Sequence, residues 1–356
     1  MTRPARVIVD VSAVVENFKV AQQKAPHSRI MAIVKADGYG HGIVRVANAL
    51  ADRTDSFGVA SLEEAITLRE AGISRPIVLL EGPFEASELL DIVAYRLECV
   101  VHSEHQLAWI AEMAAKLSVW VKVDSGMHRL GFAPSQIPKV VAQLQAGSHS
   151  IRFMTHLASA HHANDRSVGE QVSTFHGAVE SYNAEASIAN SSAVLSWPTV
   201  QAQWVRPGLM LYGVSPFEGS VGSDHGLQPA MTVASQLISV REVASGSGVG
   251  YGRGYICPAR MRVGVVAFGY GDGYPRTAST GTPIVVSGIR TQVIGQASME
   301  MLTVDLRPIP NAAAGDSVVL WGRELPVEEI AQHAETIPYE LLCRVRMRAR
   351  YVERRT

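Results

Sequence analysis

Between residue 30 and about residue 215, short apolar runs alternate with longer stretches whose apolar residues repeat at helical spacing, and this alternation leaves few folds open. Runs with no polar face belong to a parallel sheet covered on both sides, each strand joined to the next by a crossover helix. Candidate strands lie at 30–34, 57–60, 77–80, 99–101, 119–123, 151–155, 187–189 and 202–205, with helical patterns at 62–71, 87–95, 104–117 and 169–184. Eight is the number of parallel strands that closes a barrel, so the expected fold class is α/β, a (β/α)8 TIM-like barrel. After about residue 228 the texture changes to strand-like runs at 231–243, 263–267, 282–286, 292–295, 302–306 and 317–320, separated by Gly and Pro turns. Only 326–335 reads as a helix there, with acidic Glu328 and Glu329 in its first turn. A mainly β C-terminal domain is expected to follow the barrel. The predicted boundaries are 10–228 for the barrel and 229–356 for the second domain, which the N-terminal strand in 1–9 joins.

The totals exclude several function classes. Thirty-two Lys and Arg against 33 Asp and Glu leave a net charge of −1, with no electrostatic footprint for nucleic acid or an anionic membrane surface. Cys99, Cys257 and Cys343 are scattered and in no metal-ligand spacing, so neither a disulfide framework nor a zinc site is expected, and a reducing cytoplasm fits. The first residues lack the apolar core of a secretory signal, and no run approaches the length of a membrane span.

Lys35 ends the first barrel run and is followed at once by Ala-Asp-Gly-Tyr-Gly-His-Gly42. A lysine at the carboxyl end of a buried strand is expected in a dry mouth, where an ammonium is hard to solvate, sheds its proton readily and can form a Schiff base with a carbonyl cofactor. The closely spaced glycines let backbone N–H groups approach an anion. Other polar residues fall at strand ends too: Lys122 and Asp124, His156, Asn190 and Ser191, and Arg206. Barrel enzymes keep their chemistry on that face, and the loops after the last two strands commonly bind phosphate. Ser191 supplies a hydroxyl there, and Gly208 and Leu209 supply N–H donors. A phosphate-bearing aldehyde beside a desolvated lysine means pyridoxal phosphate.

At this point the chain resembles the alanine racemase family. The motifs are Val34-Lys-Ala-Asp-Gly-Tyr-Gly-His-Gly42, Lys122-Val-Asp-Ser-Gly-Met-His-Arg-Leu-Gly131, Thr155-His156, Asn190-Ser191, Arg206-Pro-Gly208, Gly250-Tyr-Gly252, Gly269-Tyr-Gly-Asp-Gly-Tyr-Pro-Arg276, Ser298-Met-Glu300 and Pro338-Tyr-Glu340, in family order over nearly the whole chain. The resemblance implies interconversion of L- and D-alanine in a homodimer with two sites at its interface. Lys35 matches the lysine that holds the cofactor and serves as one acid/base, and Tyr251 the opposing base, delivered by the partner subunit. Racemisation takes a proton from one face and returns one to the other, so two groups must flank the cofactor plane. By resemblance His156 contacts that tyrosine and is linked to Arg206. Arg206 matches the partner of the pyridine nitrogen. It can only donate, which leaves that nitrogen unprotonated and the cofactor a weaker electron sink. Tyr39, Ser191, Gly208 and Tyr339 match phosphate contacts, and Arg129 a contact to the cofactor's phenolic oxygen and the substrate carboxylate. Met299 matches a partner-subunit residue lining the substrate side, with Tyr270 and Tyr274 near the access route. Lys122 matches a lysine carbamylated in many members, whose negative charge would hold Arg129; the other reading is an ordinary pair with Asp124. Where the family often has Met-Asp, this chain has Met299-Glu300, one methylene longer.

Two other readings share the barrel. A PLP amino-acid decarboxylase would place a carboxylate at the ring nitrogen, where this chain has Arg206. A non-catalytic PLP carrier would lack the second domain. Whether the D-alanine made or consumed serves wall synthesis or breakdown is not written in the sequence, since both use the same site.

Overall fold

The computed structural model describes residues 3–162, 165–345 and 348–354. Nine strands come first: β1 (Arg6–Asp10), β2 (Arg29–Ile33), β3 (Ser56–Val59), β4 (Ile77–Leu79), β5 (Glu98–Val101), β6 (Ser118–Lys122), β7 (Ser150–Met154), β8 (Ala186–Asn190) and β9 (Trp204–Arg206). Strands β2 to β9 are parallel and close on themselves, β9 pairing with β2. Apart from Arg152 in β7, their middle residues are buried, because helices cover one face and facing strands the other. At the amino ends of the strands, Glu98 and Glu185 form ion pairs with Arg152 and accept from the indole N–H groups of Trp120 and Trp204, at 2.7 and 3.0 Å, while Arg29 pairs with Glu185. That network gives the barrel a charged but internally matched floor and leaves the opposite end for chemistry.

The second sheet contains β1, β10 (Met231–Val243), β13 (Met261–Val266), β14 (Pro283–Val286), β15 (Ile289–Gln292), β16 (Leu302–Asp305), β17 (Ser317–Trp321) and β18 (Arg350–Arg354), and the short hairpin of β11 (Gly248–Val249) and β12 (Tyr255–Ile256) projects separately. The N-terminal run sits in this sheet, antiparallel to β10 and parallel to β18. Asp10 then turns the chain into the Val11–Lys24 helix, its carboxylate accepting from the Ser12 and Ala13 N–H groups at 3.0 and 3.1 Å. Among the described residues, no helix is long and apolar enough to cross a membrane.

Several elements depart from the sequence expectation. The helix expected at 104–117 is Glu104–Ala111, because the Leu117 N–H is taken by His149 Nδ1 at the entrance to β6. The one expected at 169–184 is Arg166–Val179, started by the Asp165 side chain on the Ser167 N–H and stopped before Asn183, whose φ is 47°. The strand expected at 292–295 is instead Ile289–Gln292, because Ser287 and Gly288, at φ 48° and 78°, make a tight turn out of β14. The second domain also has a further helix, Pro338–Arg344, with proline in its first turn, where a missing N–H costs nothing.

After β2 the backbone does something unusual. Ala36, Asp37, Gly38 and Tyr39 all have φ between 52° and 61°, one turn of left-handed coil. Such residues lie uphill by roughly 1–2 kcal/mol each unless glycine. Local bonds hold them there. Gly38 N–H donates to Val34 O and Gly42 N–H to Asp37 O, both at 2.8 Å, and the Asp37 carboxylate accepts from Ile43 N–H at 2.7 Å. The Glu64 carboxylate accepts from Ala36 N–H at 2.7 Å. From outside, the Pro338–Arg344 helix closes on Gly40, where a Cβ would lie 2.2 Å from the Leu342 carbonyl oxygen. Tyr351 on β18 donates to Gly40 O at 3.2 Å. Gly40→Ala is therefore expected to destabilise by on the order of 3 kcal/mol through clash and a φ of +76° together, measured by denaturant unfolding. A loss under about 0.5 kcal/mol would contradict this packing.

Candidate active site

A cavity of about 490 Å³ opens at the carboxyl ends of the barrel strands. Lys35, Tyr39, Lys122, Arg129, His156, Asn190, Ser191, Arg206, Gly208, Leu209 and Tyr339 all line it, so residues spread over three hundred positions meet in one place. A larger cavity, about 620 Å³, lies at the other end of the barrel beside Arg69, Arg96 and Lys116. Arg69 there is occupied as a donor to the carbonyls of Ile73, Arg75, Tyr95 and Arg96.

Lys35 follows β2, whose end is tied to both neighbours: Ile33 N–H donates to Pro207 O and Val34 N–H to Gly58 O, each at 3.0 Å. The dry mouth expected for this lysine is not what the single chain shows. The Lys35 side chain is 38% exposed and faces Glu81 at 3.9 Å, because the mouth is open and the next strand but one ends in a carboxylate. Glu81 was not singled out by the sequence reading. The rule that picks out Lys35, a polar residue closing an apolar strand run, applies equally to Glu81 after 77–80.

Arg206 is buried, and its partners among the described residues are neutral. Its guanidinium donates to Ser187 Oγ and Thr155 O, both at 2.6 Å, and one nitrogen lies 3.5 Å from His156 Nδ1. Burial pulls its pKa down to about 10, which still leaves it charged at neutral pH. Burial, reinforced by Arg206, Lys122, Arg129 and Lys35, pushes His156 well below the usual imidazole value, so it is neutral. Ser191 Oγ accepts from the N–H groups of Gly208 at 2.8 Å and Met210 at 3.3 Å. Gly208 has room only for hydrogen: a Cβ there would come within 2.6 Å of the Tyr39 hydroxyl. Tyr339, half-buried, tilts against Tyr39 at 6.0 Å, and burial raises its phenol to about 12.

Lys122 is not paired with Asp124, which corrects one of its two sequence readings. Asp124 instead accepts from the backbone N–H groups of Gly126 and His128 and from the His128 ring, at 3.0 to 3.1 Å. Burial, then the charges of Arg206, Arg129 and Lys35, pulls Lys122 from 10.5 down to about 8. Four cations thus face one carboxylate, Glu81, around a single cavity, an arrangement that favours an anionic occupant.

Tyr251 and Met299 do not line the cavity of their own chain. Tyr251 is 74% exposed on a turn between β11 and β12, and Met299 is 53% exposed. Glu300, beside it, makes a two-pronged ion pair with Arg348 at 2.7 and 2.9 Å and also faces Arg3. Its carboxylate thus joins the 298–300 segment to Arg3 and Arg348.

Models of the alanine racemase N-terminal and C-terminal domains match residues 9–216 and 230–353. The chain belongs to the alanine racemase family. It is 46% identical over 348 residues to a catabolic alanine racemase of Pseudomonas putida, with 97% of each chain covered. The crystal structure of the biosynthetic alanine racemase of Pseudomonas aeruginosa superposes with a TM-score of 0.97 at 42% identity, covering 99% of this chain and 100% of that one. An alanine racemase from Bartonella henselae, with covalently bound pyridoxal phosphate, aligns at a TM-score of 0.91 and 26% identity over 99% of each chain.

The lowered pKa of Lys122 has a definite sign in stability. Between pH 8 and 10.5 the unfolded chain holds a proton that the folded chain has shed, so this residue's contribution to stability rises with pH across that window. In carbon-dioxide-free buffer Lys122→Met should stabilise the protein most below pH 8, the gain shrinking towards pH 10.5. Chemical denaturation across that range tests it, and a gain independent of pH would contradict it.

Proposed function

We propose that this protein interconverts L-alanine and D-alanine with pyridoxal phosphate as its cofactor, in a homodimer whose two sites each draw residues from both subunits. The observation that carries the reading is the grouping of Lys35, Arg206 and the Tyr39, Ser191, Gly208, Leu209 and Tyr339 cradle in one cavity, while Tyr251 stands exposed on the other domain. The reading takes 10–228 as the barrel and 229–356, with the N-terminal strand, as the second domain.

The donor set fits the cofactor. Tyr39, Ser191 and Tyr339 offer hydroxyls, Leu209 a backbone N–H beside Gly208, whose own N–H donates to Ser191 Oγ here, and the surrounding cations suit a phosphate dianion. Lys35 is the primary amine for covalent attachment. Among the described residues Arg206 is held by neutral groups, the oxygens of Ser187 and Thr155 and the His156 ring, with no carboxylate to offset its charge, so it would donate to a ring nitrogen and could not protonate it. That contact is the one a decarboxylase reading would fill with a carboxylate. When bound, pyridoxal phosphate supplies a conjugated electron-withdrawing ring that acidifies the Cα–H of an attached amino acid.

The chain's own residues then handle the proton. Lys35 takes or returns it at Cα from one face, and Tyr251 of the partner subunit does so from the other. Neutral His156, bonded to the Arg206 guanidinium, would contact that phenol and orient it towards Cα. Arg129 binds the substrate carboxylate, and Met299 of the partner subunit closes the side-chain pocket. Lys122, with a pKa of about 8, has a useful neutral fraction near neutral pH. Its nitrogen attacks carbon dioxide, forms an N–C bond and loses a proton, giving a carbamate whose negative charge orients Arg129. The site operates in the cytoplasm.

Incubating either alanine enantiomer in deuterium oxide and following α-deuterium uptake tests the two-base assignment. Tyr251→Phe should lose exchange from L-alanine by about 10²–10⁴-fold, far more than from D-alanine, and Lys35→Ala should lose bound cofactor or all turnover. Equal exchange from both enantiomers in Tyr251→Phe would remove that residue from its role. Protein kept under ¹³C-labelled carbon dioxide should show one protected carbamate resonance that Lys122→Met lacks; its presence in both would reassign the modification.

A further inference from the structure

Tyr212 lies fully buried in the turn that follows Arg206-Pro-Gly208, lines no part of the cavity, and still touches both of its ends. Its hydroxyl donates to Ile33 O at 2.9 Å, two residues before Lys35. Ile33 is thereby fixed twice to one stretch of chain, since its own N–H donates to Pro207 O at 3.0 Å. The ring of Tyr212 stacks on Tyr39, centroids 4.7 Å apart and planes 26° from parallel. Tyr39 in turn places its hydroxyl over Gly208, in the space a side chain there would need. His41 backs the stack, with its ring 4.5 Å from Tyr212 and its Nδ1 at 3.1 and 2.9 Å from the Gly38 and Tyr39 carbonyl oxygens.

We propose that Tyr212 is a positioning residue that sets the spacing between the lysine end of the cavity and its phosphate end. The brace rests on the cofactor reading above: a rigid ring carrying a carbonyl and a phosphate needs its two anchors in register, and a shift of about 1 Å is costly to rate. A tyrosine serving only the core needs one acceptor for its hydroxyl and any apolar neighbours for its ring. Here the hydroxyl goes to the backbone of the lysine strand and the ring to the phosphate-side tyrosine. Burial raises the Tyr212 phenol well above its usual value, so it remains a donor throughout the working pH range.

Tyr212→Phe keeps the stack and loses the bond to Ile33; Tyr212→Leu loses both. Phe175→Leu, in the buried face of the Arg166–Val179 helix and away from the cavity, serves as the matched loss of packing. The measurements are pyridoxal phosphate Kd by titration of the apoenzyme, the absorbance and visible circular dichroism of the bound cofactor, and kcat and KM for L-alanine. Tyr212→Phe should lower kcat by about tenfold with Kd nearly unchanged and an altered dichroic band. Tyr212→Leu should also weaken cofactor binding by about tenfold, with Phe restoring that affinity relative to Leu. Phe175→Leu should lower Tm while leaving Kd, spectrum and kcat in place. The brace is overturned if Tyr212→Phe keeps wild-type kcat and spectrum, or if Phe175→Leu disturbs the cofactor as much as the Tyr212 variants do. Wild-type protein that takes up no pyridoxal phosphate overturns the cofactor reading and the brace together, which separates the two failures.

Discussion

A left-handed turn of four residues, three of them not glycine, fixes where Lys35 stands and what can approach it. Coil of that hand is unfavourable for ordinary residues, and it persists here because the structure around it leaves no alternative. The Glu64 carboxylate holds the Ala36 N–H, the Asp37 carboxylate reaches forward to the Ile43 N–H, and the Pro338–Arg344 helix presses on Gly40. One consequence is that the barrel cannot complete this site alone. Tyr339 arrives on a helix of the second domain, and Tyr351 arrives on a strand that pairs with the first strand of the chain. The two domains are coupled through the loop that follows Lys35.

Charge is the second organising constraint. Lys35, Lys122, Arg129 and Arg206 share one cavity with Glu81 as the carboxylate among them, and burial, reinforced by repulsion from these cations, lowers the pKa of Lys122 and His156. Such a cluster is unfavourable until anions enter it. A phosphate, a substrate carboxylate and a carbamate on Lys122 would each relieve it, so the same electrostatics that weaken the empty fold favour the loaded enzyme.

Much of this was legible in the sequence. The barrel strands are readable because each is an apolar run bounded by turn residues, and the rule that polar residues at their carboxyl ends carry chemistry brought Lys35, Lys122, His156, Ser191 and Arg206 to one cavity. What escaped depends on long-range packing. The left-handed turn looks like a glycine-rich loop until the helix against Gly40 is seen. The Ser287-Gly288 turn moved β15 by three residues, and β18, rich in arginine, has no apolar alternation to mark it as a strand. Tyr212 reads as core, since nothing local says that its hydroxyl reaches Ile33. Glu81 follows an apolar run just as Lys35 does, so the same rule reaches it.

The central claim is that each catalytic centre is assembled from two chains, an amine from one and a phenol from the other. Tyr251, exposed on its own subunit and absent from its own cavity, is the residue on which that claim turns. The most direct measurement is subunit complementation: Lys35→Ala and Tyr251→Phe chains, each inactive towards L-alanine alone, are unfolded, mixed and refolded into hybrid dimers. A shared site predicts that the hybrid recovers activity, because one of its two centres pairs an intact Lys35 with an intact Tyr251 and the other has neither. A purified hybrid with no more activity than its parents would contradict the account.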